Sequence, residues 1–151
     1  MVLHEKIDMK FENLITCRGF YNQHELCIVI SKMEAYIKNN GARKIGIPIT
    51  ATYESDTVAG KADIQMLIPI DKEIPSFQEF VFMPELSAPD CLMARHKGSP
   101  HLIPDTFDIM MSKAKDKGYS IKRPAYNVII VEPTPANLSA LEMDIYLPID
   151  I

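Results

Sequence analysis

The feature that most constrains this chain is an internal repeat. Residues 62–71, ADIQMLIPID, align with residues 141–150, LEMDIYLPID, and both end on a bulky pair followed by Pro-Ile-Asp. The copies are offset by 79, and the same offset relates Arg18-Gly19 to Lys97-Gly98. Between these anchors Gly41 pairs with Gly118 and Pro48 with Pro124, at offsets of 77 and 76. Two copies are too few for a solenoid, which needs about three or more stacked units to bury a continuous core. They suit a pseudo-symmetric domain in which each copy covers the other's core. The 151 residues fit one domain, expected to span 1–151 with halves at about 1–75 and 76–151.

Each half carries one helical pattern. Leu26, Ile30, Met33 and Ile37, with Val29 and Tyr36 beside them, form an apolar stripe that predicts a helix over 23–40. Gly41 is its expected left-handed stop. In the second half Pro104 suits a first turn, Phe107, Met110, Met111 and Ala114 form the stripe, and Gly118 ends it. Strands are expected over 11–21 before the first helix and over 45–54 and 62–70 after it, the last two joined by a turn at 55–61. The second half repeats this with 91–97, 125–132 and 141–149, and a further strand at 79–83 is ended by Pro84. An eighth strand is possible if the N-terminal segment adds one. The expected class is therefore α+β: duplicated β-α-β-β units forming a largely antiparallel sheet with two helices packed on one face.

Strand residues alternate between faces. Ile64, Met66 and Ile68, and in the other copy Met143, Ile145 and Leu147, make wholly apolar faces that should meet the helices. The opposite faces are mixed: Asp63, Gln65 and Leu67 in one copy, Glu142, Asp144 and Tyr146 in the other. A sheltered carboxylate usually pairs, binds a cation or becomes protonated, because an isolated buried charge is costly; on an open sheet it simply faces water. Aromatic walls with one acid suit a cationic or polar aromatic ligand. The candidate ligand-binding residues are thus Asp144, Tyr146, Glu142, Gln65, Leu67, Tyr126 and Tyr53, lining a groove where the halves meet.

Other chemistries are poorly supported. Arg95-His96-Lys97-Gly98 and Arg18-Gly19 resemble turn sequences more than phosphate sites, since no P-loop or dinucleotide-binding glycine pattern accompanies them. His24, His96 and His101 lack metal-ligand spacing and read as surface histidines. Cys17, Cys27 and Cys91 show no C-x-x-C and read as mostly buried thiols. No nucleophile elbow occurs. No catalytic residue, metal or cofactor is assigned. The net charge of −4 and scattered basic residues argue against nucleic acid. No apolar run approaches the roughly 20 residues of a membrane span, and the N-terminus does not read as a signal peptide, so a cytoplasmic location is expected.

The β-α-β-β duplication resembles the GyrI-like (gyrase-inhibitory-protein-like) domains, also found as effector-binding domains of multidrug-sensing and AraC-type regulators. Residues 94–100, ARHKGSP, look like the family's strand ending in His-x-Gly before the helix, with Pro100 where an aromatic is usual. Cys17-Arg18-Gly19-Phe20-Tyr21 supplies the Gly-x-Tyr form in the first half, and Gly118, Pro124 and residues 144–149, DIYLPI, complete the pattern. The resemblance implies a ligand groove between the halves with an acid on the last strand that receives lipophilic cations. Asp144 falls at that position and Gln65 at its counterpart. With the two halves taking up these 151 residues, the regulators' DNA-binding domain is not expected here. A stand-alone small-molecule-binding protein is therefore expected, its partner a small hydrophobic or cationic molecule. The alternatives are a protein–protein interaction factor (inhibitor, immunity or secretion accessory) and, behind it, a hydrolase using Glu142 or Asp144 as base. The oligomeric state is left open.

Overall fold

The computed structural model describes residues 2–56 and 58–150; Met1, Ile151 and Thr57, within the expected 55–61 turn, lie outside the described residues. In chain order the elements are β1 (Leu3–Tyr21), α1 (Gln23–Asn39), β2 (Ile49–Asp56), β3 (Lys61–Pro69), β4 (Val81–Lys97), α2 (Ile103–Asp116), β5 (Ser120–Ile121), β6 (Ala125–Val131) and β7 (Glu142–Asp150). The class is α+β, as the repeat implies. The chain divides into two compact units: a first, Lys10–Ser87, and a second, Ala88–Ile151 together with Met1–Met9. The N-terminal segment joins the second unit because Glu5 accepts from Lys117 Nζ at 2.9 Å and Tyr119 Oη at 2.8 Å, and Asp8 accepts from the Asp90 amide at 3.1 Å.

In the first unit β3 is central, paired antiparallel with β1 (Arg18 opposite Gln65) and with β2 (Ile49 opposite Leu67). Helix α1 covers one face. Its Met33 and Ile37 pack with Ile15 and Cys17 of β1 and Met66 and Ile68 of β3, flanked by Leu26, Val29, Ile30 and Tyr36. Asn22 starts the helix: its Oδ1 accepts from the Glu25 amide at 2.8 Å, and Glu25 Oε1 accepts from the Asn22 amide at 3.1 Å, satisfying two otherwise orphaned donors. Gly41, at φ +73°, takes the left-handed conformation that ends it.

The second unit repeats the plan. Strand β7 is central, paired antiparallel with β4 (Arg95 opposite Asp144) and β6 (Tyr126 opposite Tyr146), while β5 pairs with its last residues. Met110 and Ala114 of α2, with Ile103 and Phe107, pack on Leu92, Ala94, Met143, Ile145, Leu147 and Ile149. Gly118 ends α2 at φ +74°. Both predicted apolar strand faces therefore lie under helices.

Several expectations need correction. Met111 is 47% exposed, one step off the stripe of α2. Strand β1 begins eight residues earlier than its apolar pattern suggested, and β2 begins at Ile49, after Pro48. Pro84 does not end a strand, since β4 runs through both Pro84 and Pro89. Proline removes only one donor and is tolerated where the ladder is irregular, and Asp90 beside Pro89 sits at φ +54°. The cysteines are mostly buried, as expected: Cys17 and Cys91 are buried and Cys27 is exposed.

The registers also correct the repeat. Gln65 and Asp144 correspond at an offset of 79, but their partners across the ladder are Arg18 and Arg95, which are 77 apart. Arg18 therefore matches Arg95 and not Lys97. The same offset of 77 relates Asn13 to Asp90, both at φ +54°, Gly41 to Gly118, and the two bulged residues, Tyr53 and Ile130.

Candidate functional site

The ladders set out the mixed faces rung by rung. In the second unit the rungs across β4, β7 and β6 are Lys97–Glu142–Val131, Arg95–Asp144–Val128 and Met93–Tyr146–Tyr126. The corresponding rungs of β1, β3 and β2 are Phe20–Asp63–Glu54, Arg18–Gln65–Ala51 and Thr16–Leu67–Ile49. Directly opposed residues share a face with side chains about 5 Å apart, and successive rungs on that face lie about 7 Å apart. The structure thus brings Asp144, Tyr146, Glu142 and Tyr126 together on one face of the second unit. Gln65, Leu67 and Tyr53 gather on the equivalent face of the first.

Asp144 is the most informative of them. It is 6% exposed, so it does not face open water. Its charge is met by the residue directly opposite: Arg95 Nε donates to Oδ1 at 2.7 Å and Nη2 to Oδ2 at 3.0 Å. This is a two-point fork in which planar guanidinium matches planar carboxylate. The Arg95 side chain itself is 46% exposed, and the bond to Asp144 holds its charged form above the ordinary arginine range. On the next rung, burial first and the Asp144 charge second push the Tyr146 phenol above its ordinary value. Tyr126, opposite Tyr146, is buried. At the other end Lys97 Nζ stands 3.5 Å from Glu142, a more exposed pair.

The first unit uses the same arginine differently. Gln65 offers no charge, so Arg18 reaches along the strand to Asp63, with Nε donating to Oδ1 at 3.1 Å and Nη2 to Oδ2 at 2.9 Å. That bond holds Asp63 below the usual carboxylate range. The Arg18 guanidinium lies 3.6 Å from the centroid of the Tyr53 ring, a cation–π geometry, and Tyr53 Oη is 3.4 Å from Gln65 Oε1. Tyr53 is the extra residue of the β2 bulge, and bulges commonly re-aim a side chain in this way. Leu67 is fully buried.

Arg95 and Arg18 are the residues sequence reasoning missed. Both fall in expected strands, 11–21 and 91–97, but their Arg-Gly and Arg-His-Lys-Gly sequences read as turn-like and gave them no role; each is committed to a carboxylate. His96 is also misplaced by that reading. It is 3% exposed, on the helix-facing side with Leu92 and Ala94. Its Nδ1 lies 2.7 Å from Thr106 Oγ1 on α2 and its Nε2 3.1 Å from the Ser99 carbonyl. A carbonyl only accepts, so Nε2 carries a hydrogen and, in the neutral ring, Nδ1 accepts from the Thr106 hydroxyl. His24 and His101 are exposed, as expected. Burial, with Asp8 and Asp90 nearby, pushes the Cys91 thiol up to about 11, which keeps it unreactive near neutral pH. Among the described residues no cluster of three or more His, Cys, Asp or Glu side chains is placed to hold a metal ion, and no helix is long and apolar enough to cross a membrane.

No family model and no curated protein matches the chain. Solved structures share its fold. It superposes on the EcmrR chain of an EcmrR–DNA complex with a TM-score of 0.76 at 13% identity, over 99% of this chain but only 56% of that one. On the EcmrR C-terminal domain the TM-score is 0.71 at 13% identity, with 99% of each chain covered. On SAV2435 bound to tetraphenylphosphonium it is 0.54 at 12% identity, covering 99% of this chain and 93% of that one. These likenesses, at 12–13% identity, establish the α+β fold.

Proposed function

We propose that this chain is a GyrI-like small-molecule-binding protein whose ligand docks on the mixed face of the second unit, against Tyr146, Tyr126, Asp144 and Arg95. The observation that carries this reading is the divergence of the two units at equivalent rungs. Where the first unit has Leu67, Ile49 and Gln65, the second has Tyr146, Tyr126 and Asp144. Aliphatic side chains at those rungs suffice for packing. Paired phenols beside a sheltered carboxylate bring a few polar groups to an aromatic wall, the usual composition of a small-molecule site. A solved structure of the same fold, SAV2435, carries tetraphenylphosphonium, which supports a small organic ligand as the partner. Glu142 remains a further candidate contact on the same face.

A thermal-shift screen of aromatic and heteroaromatic compounds tests the proposal. A ligand at about 100 times its Kd adds about 2.7 kcal/mol, which for a chain of this size raises Tm by roughly 5–11 °C. Hits should lose that shift in Tyr146→Ala and Tyr126→Ala and keep it in Tyr36→Phe, which alters the first unit under α1. Hits that are indifferent to Tyr146 and Tyr126 would place the site elsewhere.

A further inference from the structure

We infer that Arg95 sets the charge selectivity of the proposed site: it occupies Asp144 as a resident cation, so the ligand taken is an uncharged, largely aromatic molecule, and lipophilic cations gain access only when Arg95 is removed. This deepens the ligand-site reading above and rests on it.

The geometry carries the argument. Arg95 and Asp144 face each other directly across the β4–β7 ladder, so the strand register itself delivers the guanidinium to the acid. Both carboxylate oxygens are engaged, at 2.7 and 3.0 Å. Asp144 has 8% of its side chain exposed, so it has little solvent to fall back on if the fork opens. An incoming cation cannot share this acid. It must first separate two charge-assisted hydrogen bonds, which are about twice as strong as neutral ones, and then leave a guanidinium beside its own positive charge. If the fork stands open about one part in a hundred, cation affinity is weakened about a hundredfold, because apparent affinity scales with the competent fraction. A neutral aromatic ligand bears no such penalty, since it needs the phenol faces and not the acid.

The first unit shows the same device in a second setting. The equivalent arginine, Arg18, is forked onto Asp63 and lies over the Tyr53 ring. There the chain's own guanidinium occupies both the acid and the aromatic face that a cation would seek. Selectivity built by making the wrong ligand costly, and not only by making the right one favourable, is a common solution.

Titration calorimetry with two probes, the cation tetraphenylphosphonium and the neutral triphenylphosphine oxide, tests this in the full chain. The wild type should bind the neutral probe more tightly than the cation. Arg95→Ala should bind the cation at least tenfold more tightly than wild type. Adding Asp144→Asn to Arg95→Ala should abolish the gain. Arg95→Met, which removes the charge and keeps most of the side-chain volume, should show the same gain, which keeps the inference testable if Arg95→Ala folds poorly. Unchanged or weaker cation binding in the folded Arg95 variants overturns the inference. If the neutral probe still depends on Tyr146 in that case, the site stands and only its charge selectivity fails. If neither probe responds to Tyr146, both fall.

Discussion

Replacing Thr106 with valine removes one hydroxyl and almost no volume. In the structure that hydroxyl lies 2.7 Å from His96 Nδ1, and both residues are buried, at 8% and 3% exposure. The substitution leaves the imidazole nitrogen without a partner between β4 and α2. A buried polar atom deprived of its hydrogen bond costs about 1–3 kcal/mol. Taking about 2 kcal/mol, and about 2–4 °C per kcal/mol for a chain of this length, Tm should fall by roughly 4–8 °C. Urea unfolding followed by circular dichroism measures the loss directly. Adding His96→Phe removes the orphaned atom, so the double variant should be less destabilised than the sum of the singles, with a coupling of about 1 kcal/mol. Were His96 a surface residue, Thr106→Val would cost less than about 0.5 kcal/mol. That result, or strict additivity, would refute the account of how α2 is fastened to β4.

Other consequences follow from the same contacts. Asn22→Ala, which removes the α1 cap, should cost about 1 kcal/mol in urea unfolding, and Asn22→Gly only a few tenths. Because the Tyr146 phenol is raised in the folded chain, its stabilising share is complete below about pH 10, the unfolded tyrosine value, and is lost as pH rises through the folded value. Tyr146→Phe should therefore flatten the alkaline fall in stability, and ultraviolet titration near 295 nm should show one late-ionising phenol fewer. Native protein treated with Ellman's reagent at pH 8 should release the signal of one thiol, the exposed Cys27, and three after guanidinium unfolding; rapid reaction of Cys91 would contradict its burial.

The helices were legible because their apolar stripes and terminal glycines are local signals: Met33, Ile37 and Gly41 in one unit, Met110, Ala114 and Gly118 in the other. The faces of β3 and β7 were equally legible, since a period of two needs no partner to be read. Register was not. Matching Arg18 to Lys97 slips the first strand by two residues, and a two-residue slip leaves every side chain on its own face, so hydrophobic alternation cannot detect it. The slip hid the Arg95–Asp144 fork, which depends on which residues stand opposite one another. A better clue was present in Asn13 and Asp90, the residue types that most readily adopt positive φ after glycine, 77 apart. His96 was readable too: Leu92, Ala94 and His96 alternate onto the helix face, but the Gly98 that follows suggested a turn. The continuity of β4 through Pro84 and Pro89 had no sequence signal, because a proline within a strand pattern ordinarily argues against it.

The proposed ligand face is formed by Tyr146 and Tyr126 with the Arg95–Asp144 fork. Incorporating 3-fluorotyrosine labels all six tyrosines, and single Tyr→Phe variants assign each fluorine resonance. Titration with triphenylphosphine oxide should move the Tyr146 and Tyr126 resonances along one saturable curve while Tyr36 and Tyr119 stay fixed. Saturable shifts at Tyr36 or Tyr119 with Tyr146 and Tyr126 unmoved would contradict it.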